Sequence, residues 1–295
     1  MPTIEVSMKA LEKLAGRKVK EKDLEAVKGE IEETEGGRAK IEIGDTNRPD
    51  LWCVEGIARV LRGKRFQKLP VKNSGEKIIV DRKILGIRPF ISGFAAKDVN
   101  VDEELLLGMI QLQDKLDENY GKKRKKISIG IYNYDMVKFP VHYKAVSPSH
   151  KFVPLGLDKP LTLKDILSEH PKGRDYGYIV REHKLYPLLI DTKEDVLSFP
   201  PIINSNYLGK VKTGMQNLLV EVTGTDHKSV LLAANIFAYT LCDRGANIES
   251  ITTIYPSSTK FGRSVTCPHD FGQKMSFDRE NVESVLGIEL KGMEI

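Results

Sequence analysis

Two clusters of small polar and acidic side chains stand at the ends of apolar, strand-like runs, and their residue types suit the binding of a polar small molecule. One cluster follows the apolar residues 199–203, and the other lies within and after residues 218–222. The members are Asn204, Ser205, Glu221, Thr223, Thr225 and Asp226. Pro200 and Pro201 lack a backbone N–H, so they should end a strand and fix the direction of the residues that follow. The pattern predicts a pocket at these strand ends.

Glu221 is the most informative of these side chains because it is a carboxylate inside an otherwise apolar run. Burial of a charged carboxylate is unfavourable unless the group is paired or meets a ligand. Glu221 is therefore a candidate ligand-binding residue. A second interpretation stays open, in which Glu221 lies on the open face of an edge strand, residues 223–226 form a turn, and Asp226 caps the following helix.

Composition and charge are those of a soluble globular protein. The chain has 295 residues, of which 40% are hydrophobic and 29% charged, and this length predicts about two domains. No apolar run reaches the roughly 20 residues of a membrane span, and the N-terminus lacks a signal-peptide pattern, so we expect a cytoplasmic protein. The net charge of +5 is compatible with a phosphate-bearing partner. The wide spacing of Cys53, Cys242 and Cys267 predicts free thiols and no metal site.

Residues 1–80 are predicted to form a small α+β module. A strand at 3–7 leads to a helix that Ser7 caps and Gly16 closes, and a short helix at 23–28 and two further strands follow. Pro49 and Asp50 should open a helix that ends at Gly63, with Asp50 as its N-cap and Arg48 as a local partner. The polar and basic residues 64–77 are typical of a linker into the next domain.

Residues 81–260 are predicted to form a larger α+β domain with a mostly antiparallel sheet, because strand-like runs dominate and helices are few. The predicted strands are 90–97, 126–132, 137–145, 176–180, 188–190, 218–222 and 248–255, and the predicted helices are 102–120 and 227–242. The fold class is therefore α+β.

Residues 261–295 are predicted to be the start of a third module that is related to the first. Ser7, Leu11, Leu14 and Gly16 are matched in type and spacing by a second set of residues. That set is Asp278, Val282, Val285 and Gly287. Since the second copy stops before any counterpart of residues 47–50, we expect the chain to be part of a longer protein.

A basic run at residues 122–126 follows the predicted helix that ends near residue 120. Lys122, Lys123, Arg124 and Lys125 are candidate contacts for a nucleic-acid backbone. A solvated helix end, where the helix dipole favours cations, explains the same run without a partner. The next strand ends in Asn133 and Asp135, which we expect at the rim of the same sheet as further substrate contacts.

Four segments carry a resemblance to a known family. They are Asn-Arg-Pro-Asp-Leu-Trp-Cys-Val-Glu-Gly-Ile-Ala-Arg-Val-Leu at 47–61, Ile-Arg-Pro-Phe at 87–90, Pro-Pro-Ile-Ile-Asn at 200–204 and Glu-Val-Thr-Gly-Thr-Asp at 221–226. In this order they resemble the β subunit of phenylalanyl-tRNA synthetase in its archaeal and eukaryotic form, and the match runs along the whole chain.

The resemblance implies a central editing domain of the B3/B4 kind, which hydrolyses tyrosine wrongly attached to tRNA(Phe). It also implies an α subunit as partner, in a heterotetramer of two α and two β chains, and the acceptor end of tRNA(Phe) as ligand. ATP and magnesium would serve the intact ligase, while this part of the β subunit should need no cofactor or metal. Membrane and DNA are not expected partners. The alternative is a module that binds tRNA or the partner subunit and catalyses nothing.

Under this resemblance, Glu221 is predicted to accept a hydrogen bond from the tyrosine hydroxyl. Asn204 and Ser205 would hold the ammonium group or the ester carbonyl, and the polar group after Glu221 would bind the terminal ribose or the attacking water. That group comprises Thr223, Thr225 and Asp226. The sequence contains no nucleophile elbow, so we expect no covalent intermediate. His227 should bond locally, and no catalytic role is expected for His142 or His183.

Overall fold

The computed structural model describes residues 1–63, 68–272 and 275–290 of the chain. The N-terminal part is a three-stranded antiparallel sheet of order β1-β3-β2, covered by two helices. Its elements are β1 (Thr3–Ser7), α1 (Met8–Ala15), a 3₁₀ turn (Glu21–Val27), β2 (Gly29–Glu35), β3 (Arg38–Ile43), a second 3₁₀ turn (Pro49–Leu51) and α2 (Val54–Leu61). Ser7 accepts from the Ala10 N–H at the start of α1, and Gly16 ends it with a φ of 71°. Both predicted caps are confirmed.

A large, mostly antiparallel sheet forms the centre of the molecule. Its strands are β4 (Val71–Val80), β5 (Phe90–Lys97), β6 (Ile127–Asn133), β7 (Val141–Val146), β10 (Tyr186–Ile190), β11 (Val196–Phe199), β12 (Ile203–Asn204), β13 (Leu218–Gly224), β14 (Asn247–Thr259) and β15 (Gly262–Cys267). The strand order is β12-β11-β10-β7-β4-β14-β5-β13-β6, and β15 pairs with β14. Among the strand pairings of the described residues, the two made by β4 are parallel and the others are antiparallel. The predicted α+β class is confirmed.

The two ends of this sheet approach each other. Asn204 on β12 donates from Nδ2 to the carbonyl oxygen of Ile131 on β6, at 3.3 Å. The N–H of Asn133 donates to the carbonyl oxygen of Leu208, at 3.0 Å. The sheet therefore curls until its terminal strands β6 and β12 face one another, and the space between them becomes a cleft.

Helices cover the sheet and one short hairpin stands apart from it. The remaining elements are α3 (Glu103–Lys115), a wide helical turn (Leu116–Tyr120), β8 (Lys151–Phe152), β9 (Leu161–Thr162), α4 (Leu163–Glu169), α5 (Pro171–Tyr176), α6 (His227–Asp243) and α7 (Arg279–Leu286). Further 3₁₀ turns are Arg82–Gly86, Tyr134–Met136 and Gly177–Ile179. α3 and α6 pack on one face of the large sheet, and their buried side chains are continuous with the core of the N-terminal sheet. The two sheets thus share one hydrophobic core.

Ion pairs also join the N-terminal part to α6. Arg244 donates to the buried Glu55 of α2 at 2.6 Å, and Arg59 of α2 donates to Asp243 at 2.6 Å. Cys53 packs within hydrogen-bonding reach of Thr240, at 3.5 Å. Burial raises the pKa of the Cys53 thiol to about 12, so the thiol is protonated and serves as a packed core group.

Three local predictions were wrong. Residues 71–77 were predicted as linker but belong to β4, since pairing with β14 holds this polar segment in the sheet; residues 64–67 lie outside the described residues. Residues 176–180 were predicted as a strand but form the end of α5 and a 3₁₀ turn, because His170 caps α5 and Pro171 occupies its first turn. Asp50 does not cap α2, which begins three residues after a separate 3₁₀ turn, and it pairs with Arg48 at 2.8 Å.

The C-terminal helix matches the first helix only in part. Gly287 ends α7 with a φ of 67°, as Gly16 does for α1, but Asp278 precedes α7 without the capping hydrogen bond that Ser7 makes. Both helices have eight residues. The predicted domain limits at residues 80 and 260 stay predictions, although β4 and β15 both pair with the large sheet.

Candidate functional site

The cleft between the two sheet ends holds a cavity of about 360 Å³. One wall is α3 and β6, and the opposite wall is the turn between β11 and β12, which we call the proline turn (residues 199–203). The apolar lining comprises Leu106, Met109, Ile110, Ile129, Ile131, Leu155, Phe199, Ile202, Ile203 and Val211. The polar lining includes Gln113, Arg124, Ser128, Lys172, Ser198, Asn204 and Glu221. The size and the mostly apolar walls are typical of a small-molecule site.

Glu221 lies at the buried side of this cavity and is 3% exposed. Its Oε1 accepts from the Tyr132 hydroxyl at 2.8 Å, whereas its Oε2 has no hydrogen-bond partner among the described residues. Burial raises the pKa of Glu221 to about 7, although the Tyr132 hydrogen bond and the charge of Arg88 lower it. A buried carboxylate oxygen without a donor is unfavourable, so a ligand hydroxyl at Oε2 would relieve the penalty.

Tyr132 orients this carboxylate. Its hydroxyl lies 2.8 Å from Glu221 Oε1 and 2.8 Å from Ser198 Oγ, but it has one proton to donate. Burial raises the pKa of Tyr132 well above 10, so the phenol keeps its proton. With Glu221 ionised, Tyr132 donates to the carboxylate and accepts from Ser198, which leaves Oε2 free as an acceptor.

Gly130 makes room for the carboxylate. In the sheet register, Glu221 lies opposite Gly130 of β6 and Gly93 of β5. A Cβ on Gly130 would collide with the Tyr132 hydroxyl and lie 2.5 Å from Glu221 Oε1. Glycine at position 130 is therefore required by the close approach of these two polar groups.

The structure brings Asn204 to the cavity wall as predicted, and it places Ser205 differently. Asn204 is held by its bond to Ile131, and its Cβ packs against Gly209. The Ser205 hydroxyl is buried and accepts from the Leu208 N–H at 3.1 Å. Ser205 thus fixes the loop behind the cavity and does not line it.

Thr223 lies two residues beyond Glu221 in β13 and accepts hydrogen bonds from the buried guanidinium of Arg88. Arg88 is 1% exposed and donates to Thr223 Oγ1 at 2.9 Å and to the Thr223 carbonyl at 2.8 Å. It also donates to Ser128 Oγ at 3.1 Å and to the carbonyl oxygens of Arg124 and Lys125. Burial lowers the pKa of Arg88. Arg88 therefore ties β6, β13 and the basic run into one unit.

Thr225 and Asp226 lie beyond the end of β13, outside the cavity lining. Thr225 Oγ1 donates to the Lys125 carbonyl at 3.3 Å, and Asp226 accepts from the Ser229 N–H at 2.9 Å as the N-cap of α6. The Ser229 hydrogen bond lowers the pKa of Asp226. The helix-capping alternative for Asp226 is confirmed, and its predicted catalytic role has no support from the geometry.

Asn133 and Asp135 lie at the far end of β6, and neither side chain lines the cavity. Asn133 Oδ1 accepts from the Asp135 N–H at 3.2 Å, and Asp135 accepts from Asn217 Nδ2 at 2.9 Å. Asp135 faces a separate shallow recess near Tyr134 and Lys138. Strand residues rise by about 3.3 Å each, and Asn133 lies three residues beyond Gly130, the partner of Glu221, so Asn133 is about 10 Å further along the strand.

The basic run at residues 122–126, which we call the basic turn, divides into outward and inward side chains. Lys122, Lys123 and Lys125 are exposed, and these three are the exposed lysines of the basic turn. Arg124 points inward, forms an ion pair with Asp117 at 3.0 Å and lines the cavity. The predicted role of Arg124 as a tRNA contact is therefore unsupported, whereas that of the three lysines is compatible with their exposure.

The histidines stay away from the cavity. His227 begins α6, stacks on Phe90 with ring centroids 4.6 Å apart, and lies 3.2 Å from the Tyr255 hydroxyl. Burial lowers its pKa to about 4. Its Nδ1 has no hydrogen-bond partner among the described residues, and Tyr255 is 28 positions away in the sequence, so the predicted local hydrogen bond of His227 is not found.

No group of three or more His, Cys, Asp or Glu residues suited to a metal ion occurs in residues 1–63, 68–272 and 275–290. Within the same described ranges, no helix is both long and apolar enough to cross a membrane.

Tyr132, Ser198, Arg88 and Lys172 were not predicted as part of the site. Ser128, Gly130 and Tyr132 alternate along β6 on the face that carries Glu221, as the register of β6 with β13 shows. That alternation was visible in the sequence, but the pairing of β6 with β13 was not. Lys172 reaches the cavity from α5, a helix that the sequence analysis did not predict.

The chain is similar to subunits of an aminoacyl-tRNA synthetase. The phenylalanine–tRNA ligase β subunit of Borrelia garinii subsp. bavariensis is 42% identical over 278 residues, which cover 90% of this chain and 49% of that protein. The corresponding subunit of Pyrococcus furiosus is 38% identical over 308 aligned positions, which cover 100% of this chain and 54% of that protein. No family model matches the sequence.

A solved structure agrees with the fold over nearly the whole chain. The N-terminal fragment of the phenylalanyl-tRNA synthetase β subunit from Pyrococcus horikoshii has a TM-score of 0.91 and 36% identity, covering 98% of this chain and 86% of that fragment. The chain belongs to the phenylalanyl-tRNA synthetase β-subunit family, as the resemblance implied. It spans about half the length of the curated relatives it matches.

Proposed function

We propose that the central domain hydrolyses the ester bond of tyrosine wrongly attached to tRNA(Phe). The observation that carries this proposal is Glu221, a carboxylate that is 3% exposed at the cavity and has one oxygen without a donor. A phenol hydroxyl supplies the missing donor, and a phenyl ring does not.

The need for such a site follows from the limits of the synthetic reaction. A hydrophobic pocket shaped for phenylalanine rejects an added hydroxyl by only about a hundredfold. A second site that hydrogen-bonds the hydroxyl can discriminate by about 10⁴-fold, since the wrong substrate leaves its polar groups unpaired. Glu221 with Tyr132 supplies that polar end.

The cavity suits an aromatic amino acid. Its lining includes Ile129 and Ile131 of β6, Ile202 and Ile203 of the proline turn, and the carboxylate of Glu221. Asn204 is placed to contact the ammonium group or the ester carbonyl. The side chains of Ser205, Thr223, Thr225 and Asp226 all form hydrogen bonds inside the protein, so we assign them structural roles.

The proposed chemistry is direct attack by water on the ester carbonyl. The carbon–oxygen bond to the terminal ribose breaks, the ribose oxygen takes up a proton, and free tyrosine and tRNA leave. An aminoacyl ester is already activated, so positioning of the ester and stabilisation of the oxyanion suffice without a protein nucleophile. The vicinal hydroxyl of the terminal adenosine would assist. Glu221 acts at the other end of the substrate and recognises the side chain.

In the intact enzyme we propose that the chain works with an α subunit in a heterotetramer of two α and two β chains. That assembly would charge tRNA(Phe) with phenylalanine in the cytoplasm, using ATP and magnesium. The exposed lysines of the basic turn would contact the acceptor end of tRNA on its way to the cavity, since they stand at the end of β6 that borders it.

A second candidate is a module that binds tRNA without hydrolysis. It is favoured by one observation: no His or Cys is among the described residues that line the cavity, so no familiar catalytic pair is present there.

Deacylation assays with tyrosyl-tRNA(Phe) and phenylalanyl-tRNA(Phe) separate the two functions. An editing hydrolase releases tyrosine and spares phenylalanine, and Glu221→Ala slows the tyrosine reaction. Binding of both tRNAs without release would favour the second candidate. Unchanged tyrosine release by Glu221→Ala would remove Glu221 from the site.

A further inference from the structure

Three elements around the cavity meet at a single side chain, Arg124. Its Nη1 donates to the carbonyl oxygens of Pro201 and Ile202 in the proline turn, at 3.1 Å each. Its Nε pairs with Asp117 beside α3 at 3.0 Å, and its guanidinium lies over the Tyr176 ring of α5, 4.3 Å from the centroid. The side chain is 11% exposed. One planar group therefore joins the proline turn to the helical turn Leu116–Tyr120 that follows α3, and to α5.

The backbone that delivers Arg124 has an unusual conformation. Lys122, Lys123 and Arg124 have φ values of 52°, 53° and 64°, which makes a left-handed turn without glycine. Each such residue costs roughly 1–2 kcal/mol. The turn is held by hydrogen bonds from the Arg124 N–H to the Asp117 carbonyl and from Arg88 to the Arg124 carbonyl. Strain of this kind persists where the surrounding structure holds it, and it is frequent at functional sites.

A simpler explanation for Arg124 has to be separated from a role in the site. Asp117 is 1% exposed, and burial raises its pKa to about 7. The positive charges of Arg124 and Arg88 act in the other direction and lower the pKa. Arg124 could serve only to neutralise this carboxylate. That role requires the ion pair, but it requires neither the two carbonyl contacts nor the contact with Tyr176.

We propose that Arg124 is a positioning residue that clamps the proline turn against the helical turn Leu116–Tyr120 and against α5, and so fixes the part of the cavity wall that the proline turn supplies. A guanidinium suits this task because its fixed fork reaches a carboxylate and two carbonyl oxygens at once while its flat face stacks on an aromatic ring. A lysine ammonium cannot make this set of contacts. The expected effect on catalysis rests on the proposed function, whereas the clamp depends only on the contacts of Arg124.

The test uses the whole chain with Arg124→Gln, Arg124→Lys and the double variant Asp117→Asn/Arg124→Gln. Arg124→Gln leaves Asp117 without its partner and should lower the melting temperature. The double variant removes both charges of the pair, so its melting temperature should return towards that of the wild type. The clamp stays broken in the double variant, because the shorter, uncharged Gln side chain cannot replace the contacts of Arg124 with the Pro201 and Ile202 carbonyls and with the Tyr176 ring.

Two readouts then decide the question. Amide hydrogen exchange over residues 199–205 should be about tenfold faster in the double variant than in the wild type, while exchange in α6 stays unchanged. Hydrolysis of tyrosyl-tRNA should show a kcat lowered by about tenfold or more, because a wall displaced by about 1 Å misplaces the ester. Arg124→Lys should keep the charge but also lose kcat. Wild-type exchange and wild-type kcat in the double variant would overturn the proposal and leave Arg124 with charge neutralisation alone.

Failure of the proposed function gives a different pattern. If the wild-type chain does not release tyrosine, the editing proposal fails, and hydrogen exchange of residues 199–205 still decides whether Arg124 clamps the turn. If the wild type is active and exchange is unchanged in the double variant, the clamp fails and the editing function stands.

Discussion

Glu221→Gln should stabilise the protein above neutral pH, and the size of the effect follows from the burial of the carboxylate. Burial raises the pKa of Glu221 from 4.5 to about 7. A shift of about 2.5 units corresponds to about 3 kcal/mol, at 1.36 kcal/mol per unit. Glutamine is close in shape, can still accept from Tyr132 through its amide oxygen, and cannot ionise.

The sign follows from which state holds the proton more tightly. The folded protein has the higher pKa, so between about pH 4.5 and 7 it binds more protons at Glu221 than the unfolded chain does. The stability that Glu221 contributes is therefore fully present below about pH 4.5 and is lost as the pH rises through 7. Asp117, whose pKa is also raised to about 7, adds a loss of the same sign in both proteins, so the difference between them isolates Glu221.

The assay is urea unfolding of the wild type and Glu221→Gln at pH values from 5 to 8.5. The variant's advantage in free energy of unfolding should grow by about 1.4 kcal/mol per pH unit below pH 7 and then level off. Glu182→Gln, at an exposed carboxylate, is the matched control and should show no such trend. A difference that stays constant from pH 5 to 8.5 would refute the reasoning, since Glu221 would then titrate alike in both states.

Three further predictions concern the residues around Glu221 and the basic turn. Tyr132→Phe removes the hydroxyl that donates to Glu221, so kcat/KM for tyrosyl-tRNA should fall by about tenfold or more, and the pH–rate profile should shift to higher pH because the pKa of Glu221 loses a lowering contribution. Gly130→Ala should destabilise the protein by about 1–3 kcal/mol in urea and abolish tyrosine release, whereas Gly108→Ala on α3, where a Cβ meets nothing, should be neutral or stabilising. Replacement of the three exposed lysines of the basic turn by Ala should reduce the slope of log affinity for tRNA against log salt by about two, measured by filter binding; an identical slope would show that these lysines do not contact the phosphates.

The fold was predictable wherever the sequence pattern and the local structure agree. The strand Phe90–Lys97 was predicted with its observed bounds, and α6 with nearly its observed bounds, because apolar runs with clear caps leave few alternatives. The first part of β4 was missed because its polar sequence is typical of a loop, and the sequence does not show which strands lie beside it. Its stability comes from parallel pairing with β14 and β7, which are far away in the sequence.

The sequence singled out the buried carboxylate of the candidate site but not the residues around it. Glu221 stood out as a charge in an apolar run, and Asn204 followed a proline-ended strand. Tyr132 could be placed beside Glu221 only from the register of β6 with β13, which no local pattern fixes. Arg124 was grouped with its basic neighbours because composition alone does not reveal that a left-handed turn directs one side chain of the run inward.

The ratio of kcat/KM for tyrosyl-tRNA(Phe) to that for phenylalanyl-tRNA(Phe) in hydrolysis by this chain tests the central claim most directly. A buried carboxylate that recognises the phenol hydroxyl predicts a ratio on the order of 10⁴ for the wild type, and a collapse of that ratio towards one in Glu221→Leu. A wild-type ratio near one, or a high ratio that survives in Glu221→Leu, would contradict the assignment of Glu221 as the group that distinguishes tyrosine from phenylalanine.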